Sequence, residues 1–371
     1  MPLRKVPHSL VPIQSIECEA YAFPFQKAES DGTETWDKTT LILTRIQAGG
    51  ETGLGYTYGD PPTAQIVRSI LAPAVMGQSA FDIQKLWFAM LERVRNTGRP
   101  GIASMAIASV DTALWDLKAK LLKQPLSVLL GQVRPAVAAY GSGGFTSLSK
   151  SELENQLDSW LELGITRVKI KIGREPEKDP ERVRIARETI GPDTELYVDA
   201  NGAYDCKQAL TMAETLAIHD VRWFEEPVSS DDLNGLHSIR NRAPVAIEIA
   251  AGEYGYDPEY YVRMLDAQAV DVAQIDATRC LGITGFLKAA AICETHFIPI
   301  SAHTAPSLHI HLGCALPHMR HVEYFSDHAW VESQAFEGAI QARNGLLAPD
   351  LSCAGLGLEL KLQDIQSKRV A

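Results

Sequence analysis

From about Ala136 onward, short β-rich runs recur roughly every 25 residues with a helical stretch between each pair. The runs are 137–142, 167–172, 195–199, 222–225, 245–251, 271–275, 298–301 and 321–324. Helical patterning fills 152–163, 181–189, 207–218 and 282–296, and Ser149-Lys150-Ser151-Glu152 opens the first of these with the spacing of a capping box. Eight strand-helix beats of this length predict a closed parallel (β/α)₈ barrel. The rhythm stops after Tyr324. The tail, with Gly338, Gly345, Pro349, Gly355 and Gly357, reads as turn-rich and as returning to the first part of the chain.

Residues 1–130 lack that rhythm. The run 39–46, the turn Gly49-Gly50 and the run 52–58 predict a hairpin, followed by helices over 64–75, 81–94 and 103–122. Strands first and helices after describe a small α+β unit. The polar stretch 23–36 has no apolar period and reads as a mobile loop. The expected division is therefore 1–130 for an N-terminal α+β capping unit, 131–330 for the barrel, and 331–371 for a returning segment.

A formal charge of −11 argues against nucleic acid and anionic membrane surfaces as partners. No apolar run approaches the roughly 20 residues of a spanning helix. Met1 to Lys5 are followed by neither a continuous apolar stretch nor a small-residue cleavage pattern, so no secretory signal is expected. Cys18, Cys206, Cys280, Cys293, Cys314 and Cys353 are scattered singles, which read as reduced core thiols of a cytoplasmic protein.

Within the second run, Lys169 and Lys171 alternate with Val168 and Ile170 and so share one face of a strand. A parallel strand between helices is covered outside, so both ammonium groups point inward, where they require acidic partners. The ends of the following strands supply them. Asp199, Glu225, Glu253, Asp276, His303 and Glu323 stand at or just past the C-terminal ends of the third to eighth strands, where barrels place their chemistry. Asp199, Glu225 and Glu253 come from neighbouring strands, and three oxygen ligands without Cys or His suit a hard cation such as Mg²⁺. Each acid alone is equally well read as a helix cap or a lysine partner; the trio together is not. A neighbouring Lys169 and a metal would lower the Lys171 pKa towards neutrality and make it a base. Asp276 is placed to accept a hydrogen bond from His303 and fix its tautomer, while His309 and His311 fall within a helix and read as structural.

The motifs Lys169-x-Lys171, Val198-Asp199-Ala200-Asn201, Trp223-Phe224-Glu225-Glu226-Pro227, Ala251-Gly252-Glu253, Asp276-x-x-Arg279-x-x-Gly282-Ile283-Thr284-Gly285 and Ser301-Ala302-His303 resemble those of the mandelate racemase subgroup of the enolase superfamily. The likeness spans nearly the whole chain, including 113–118. It implies a capping domain over a modified TIM barrel, (β/α)₇β, and one Mg²⁺ held by Asp199, Glu225 and Glu253. It further implies Lys171 as one acid/base and His303 with Asp276 as the other. Lys169 would neutralise a substrate carboxylate, and Glu323 would donate a hydrogen bond to it. A homo-oligomer is implied too, octamers being frequent in the subgroup.

Such a site removes the proton α to a carboxylate. From a β-hydroxy acid, loss of water then gives a 2-keto-3-deoxy acid; without that hydroxyl, a proton returned to the opposite face gives racemisation. Dehydration of an aldonate or aldarate is the expected activity, with Asn201, Ser142, Tyr56, Tyr58 and the 23–36 stretch available to sugar hydroxyls. A 2-hydroxy-acid racemase or epimerase is the alternative. A barrel that binds metal and acid without turnover is a third reading, against which the paired bases count. A muconate-type cycloisomerase fits less well, because a lysine usually stands there where His303 stands here.

Overall fold

In the computed structural model, which describes residues 11–371, eight parallel strands close on themselves. The reading of Met1 to Lys5 lies outside the described residues. Ahead of the barrel, β1 (Ser15–Ser30), β2 (Thr35–Ala48) and β3 (Glu51–Tyr58) form an antiparallel sheet in the order β1-β2-β3. The barrel strands are β4 (Val137–Ser142), β5 (Arg167–Lys171), β6 (Glu195–Asp199), β7 (Val221–Glu225), β8 (Glu248–Ala251), β9 (Val272–Ile275), β10 (Ile300–Ala302) and β11 (Met319–Phe325). They pair in sequence order, and β11 pairs with β4 to complete the ring.

The helix Lys150–Glu162 begins with the expected reciprocal cap: Glu152 N–H donates to Ser149 Oγ, and Glu152 Oε2 accepts from Ser149 N–H. Its buried residues, Leu153, Leu157 and Trp160, lie three to four apart on the face that covers the barrel. Between β4 and the strands opposite, the lower barrel is filled by Tyr140, Tyr197 and Trp223, the last two stacked with centroids 5.2 Å apart. The barrel is therefore a packed core rather than a channel.

The β1–β2–β3 sheet is covered by the helix Ile102–Leu121, whose approach leaves no room for a side chain at Gly55. A Cβ there would lie 2.1 Å from the carbonyl oxygen of Ser109. Buried Asp116 on this helix accepts from Leu54 N–H, Leu356 N–H and Lys120, each at 2.7 Å, and so ties β3 and the C-terminal tail to one carboxylate. Asp111, one turn earlier, accepts from Thr284 N–H and Oγ1 on the barrel helix Gly282–Thr295, which fixes the N-terminal layer against the barrel.

Three expectations change. The stretch 23–36 is not a loop: β1 runs through to Ser30 and returns in β2 from Thr35, with a register shift between Pro24 and Glu29. The irregularity and the solvent-facing Gln26, Lys27 and Ala28 of this edge strand conceal its period. The rhythm also continues one helix past Tyr324, in Ser326–Ala335. That helix has no amphipathic period because it lies between layers. Its Trp330 packs on Phe23 and Phe25, and its Glu332 accepts from the hydroxyls of Tyr56 and Tyr58. Finally, Cys353 is exposed and Cys206 partly so, while the other four thiols are buried; none is paired.

Burial pushes the Glu332 carboxyl up to about 7, against hydrogen bonds from Ser307, Tyr56 and Tyr58 that favour the anion. Because the folded chain holds this proton above pH 4.5 and the unfolded chain does not, stability falls as pH rises from about 4.5 to 7 and is level above that. The expected amplitude is on the order of 3 kcal/mol. Urea unfolding of wild type and Glu332→Gln across this range checks it; equal slopes for the two proteins would rule it out.

Candidate active site

All the strand-end groups arrive at one end of the barrel. Register alone accounts for part of this: Lys171 is paired with Asp199, and Asp199 with Glu225, on adjoining parallel strands. Glu253 comes two residues past β8 because Gly252 (φ +133°) lets the backbone pass over β9, where a Cβ would meet Gln274 O at 2.3 Å. Several turns just beyond the strands are left-handed at residues other than glycine: Asn201 after β6, Glu226 after β7, Thr304 and Ala305 after β10. Strained backbone of this kind clusters at functional ends of folds.

One oxygen from each of Asp199, Glu225 and Glu253 lies within 4.8 Å of the others. Lys169 Nζ is fully buried among acids, 2.5 Å from Glu225 Oε1, 2.8 Å from Glu323 Oε1 and 3.5 Å from Asp199 Oδ2. Lys171 Nζ lies 2.5 Å from Asp199 Oδ2. Trp223 Nε1 donates to Glu225 Oε2 and Asn201 N–H to Asp199 Oδ1, which orients both carboxylates. Arg279 spans two groups of the site, 3.2 Å from Glu253 Oε1 and 3.7 Å from Asp276 Oδ2.

His303 Nδ1 lies 2.9 Å from Asp276 Oδ2, while Thr278 N–H and Oγ1 hold the other Asp276 oxygen at 2.7 Å. The dyad expected from sequence is thus formed, with Nδ1 as donor and Nε2 directed towards Glu253 Oε2, at 3.3 Å. His309 is structural as expected. Its Nδ1 donates to Thr304 O and its Nε2 accepts from Ala277 N–H, so it is a neutral strut under the dyad. His311, also buried, meets Leu356 O.

Contacts within the cluster set two of its protons. Burial alone would lower Lys171, but Asp199 at 2.5 Å overrides it and holds the ammonium above its usual range. Burial alone would raise Glu323, but Lys169, His303 and Lys171 outweigh it and keep it an anion. Glu323 here is an acceptor, from Lys169 and from Thr304 N–H, rather than a donor. The negative excess of the cluster appears instead at Glu225, which burial and Asp199 push well up.

The donor set fits a divalent cation. Asp199, Glu225, Glu253, Asp276 and Glu323 face Lys169, Lys171 and Arg279, leaving two negative charges uncompensated by these cations, and Glu253 Oε2 is buried without a hydrogen-bond partner. All donors are oxygens, as Mg²⁺ prefers.

Above the site is a cavity of about 510 Å³. Lys171, Asn201, Glu253, Arg279 and His303 line its inner end, and Asp31, Trp36, Tyr58, Asp327 and His328 its outer wall. Ser142 is fully buried at the end of β4, its Oγ unpartnered, and does not wall the cavity. Tyr56 is likewise turned away, towards Glu332. A larger cavity, about 820 Å³, lies at the other end of the barrel. Its arginines are already paired, Arg320 with Glu248 and Arg222 with Asp220, and the aromatic plug separates it from the strand-end groups.

Sequence reasoning did not single out Asp327 and His328. They follow β11 directly, so the rule that located the other strand-end groups reaches them as well, had the rhythm not been taken to end at Tyr324. Arg279 was visible within a motif, but its bridging position was not.

The profile of the mandelate racemase / muconate lactonizing enzyme N-terminal domain matches residues 17–131, and the enolase C-terminal domain-like profile matches 152–365. The chain belongs to this family. Among mandelate racemase/muconate lactonizing relatives, a solved protein from Rubrobacter xylanophilus is 48% identical, with TM-score 0.94 over 97% of this chain and 100% of that one. The 3,6-anhydro-alpha-L-galactonate cycloisomerase of Streptomyces coelicolor is 33% identical over 86% of this chain and 90% of its own length. An L-talarate dehydratase from Polaromonas sp. JS666, solved with Mg and L-glucarate, is 29% identical, with TM-score 0.88 over 97% of this chain and 98% of that one.

Proposed function

We propose that the chain is a Mg²⁺-dependent acid-sugar dehydratase, converting an aldonate or aldarate to a 2-keto-3-deoxy acid. The observation that carries this reading is the pairing of Lys171 on β5 with the His303–Asp276 dyad after β10, three strands apart around the ring, on either side of the three-carboxylate cluster. Acid-sugar chemistry among relatives, with magnesium and an acid-sugar ligand in one of them, supports it.

Mg²⁺ held by Asp199, Glu225 and Glu253 would neutralise charge that builds on the substrate carboxylate as the α-proton leaves. Lys169 adds a fixed positive charge beside that carboxylate. Glu323 joins it as a hydrogen-bond donor once a proton is driven onto it by the incoming anion, since like charge raises a carboxyl pKa. Once Asp199 no longer holds its ammonium, Lys171 gives up a proton to solvent water and, as the neutral amine, takes the α-proton. His303, protonated at Nε2 and steadied by Asp276, gives its proton to the β-hydroxyl as the C–O bond breaks. Water leaves, and the enol becomes the 2-keto acid. Asn201, whose Oδ1 is buried and unpartnered at the inner end of the cavity, accepts from a substrate hydroxyl.

The same pair serves a racemase or epimerase, in which His303 returns a proton to carbon instead. Incubating a library of acid sugars with the protein and Mg²⁺ in D₂O separates the two by proton NMR. A 2-keto-3-deoxy product supports dehydration. Deuterium at Cα with no loss of water would replace it by the racemase reading.

A further inference from the structure

The proposal concerns the end of the substrate remote from the metal, and it rests on the acid-sugar reading above. The inner cations of the cavity are committed: Lys171 to the α-carbon end of the substrate on that reading, and Arg279 to the backbone oxygen of Glu253 and to Asp276. The outer wall is acidic. Asp31 and the buried Asp327 stand there, with the exposed Glu34, Asp37 and Asp60 at the mouth, against two exposed cations, Lys38 and Arg174, the latter already donating to Glu34 O and Thr35 Oγ1.

Behind Asp327 lies a second carboxyl group, Glu29, from the β1 edge of the hairpin. Glu29 is hydrogen-bonded to Asp327, and its Oε2 is buried with no partner of its own. Trp36 Nε1 donates to Asp327 Oδ2 at 3.3 Å. Burial and Asp327 push Glu29 up to about 9, and burial raises Asp327 as well, so the two share a proton and retain one negative charge between them.

His328, next in sequence, offers no counter-charge. Its ring stacks on Tyr58 with centroids 3.5 Å apart, and its Nδ1 accepts from Ala305 N–H at 3.3 Å. The proton is therefore on Nε2, and burial holds the imidazole neutral. The wall presents one neutral N–H donor beside a carboxyl–carboxylate pair. Such a surface hydrogen-bonds a hydroxyl in both directions and repels a second carboxylate.

We propose that the Glu29–Asp327 pair with His328 selects polyhydroxy monocarboxylates and excludes dicarboxylates, making this chain an aldonate enzyme rather than an aldarate enzyme. The hydroxyls at the distal end donate to Asp327 and accept from His328 Nε2–H.

The test is calorimetric binding of aldonates and aldarates, paired by chain length and configuration, to the full Mg²⁺-loaded chain. The tightest monoacid is expected to bind at least 10-fold more strongly than its diacid. The double variant Asp327→Asn, Glu29→Gln, which removes the shared charge and is confirmed as folded by circular dichroism, should shrink that ratio by strengthening diacid binding. A diacid that binds wild type as well as or better than its monoacid would overturn the assignment, as would an unchanged ratio in the double variant. If neither kind of sugar acid binds while simple 2-hydroxy acids do, the acid-sugar reading itself fails, and this inference with it.

Discussion

Lys171→Ala should lower product formation by about 10²–10⁴-fold, and His303→Asn by a similar factor, with each variant unfolding cooperatively near the wild-type midpoint. The two losses should differ in kind. Lys171 lies at the end of β5 and His303 beyond β10, so in the proposed mechanism each would face the α-carbon from its own side. With His303 replaced, Lys171 retains its route to the α-proton, and slow deuterium incorporation in D₂O should persist without loss of water. With Lys171 replaced, exchange and elimination should both stop. Asp276→Asn tests the dyad, because an amide can no longer hold the proton on Nδ1. If both Lys171→Ala and His303→Asn turn over the substrate at the wild-type rate, proton transfer by this pair is excluded.

Lys169→Met is expected to cost about 3–5 kcal/mol of stability at neutral pH, the usual penalty for leaving buried charges without their counter-ion. Lys169 is fully buried and touches Glu225, Glu323 and Asp199, so its loss leaves three carboxylates with Lys171 alone. The cost should shrink as pH falls, since the acids then take up protons and become neutral. Mg²⁺ should restore more stability to the variant than it adds to wild type, because a ligand of the folded form stabilises it by mass action and here replaces missing positive charge. Urea titrations with Mg²⁺ and with EDTA measure both effects. A variant as stable as wild type in EDTA would show that Lys169 does not balance these acids.

The barrel was legible because a parallel sheet under helices forces a short apolar run to recur at each beat, and each run here survives in the structure. The inner site was legible for a related reason. Alternation puts Lys169 and Lys171 on one face, and ionisable groups at successive strand ends are hard to explain by packing. The outer wall was not. Glu29 and Trp36 sit on an edge strand whose bulge hides its register, and Asp327 and His328 sit on a helix wedged between layers, where no single face is apolar. Proton positions were not legible either. Whether Lys171 is easily deprotonated depends on a 2.5 Å contact with Asp199 that residue types do not reveal.

The hairpin whose tip carries Asp31 contributes wall to the cavity but none of the groups that move protons or gather the carboxylate cluster. On the reading proposed above, the distal wall and the proton-moving groups would thus lie on separate stretches of polypeptide. Changes in the hairpin, or in the turn after β11, would then alter which acid is admitted while leaving the ends of β5 to β10 intact.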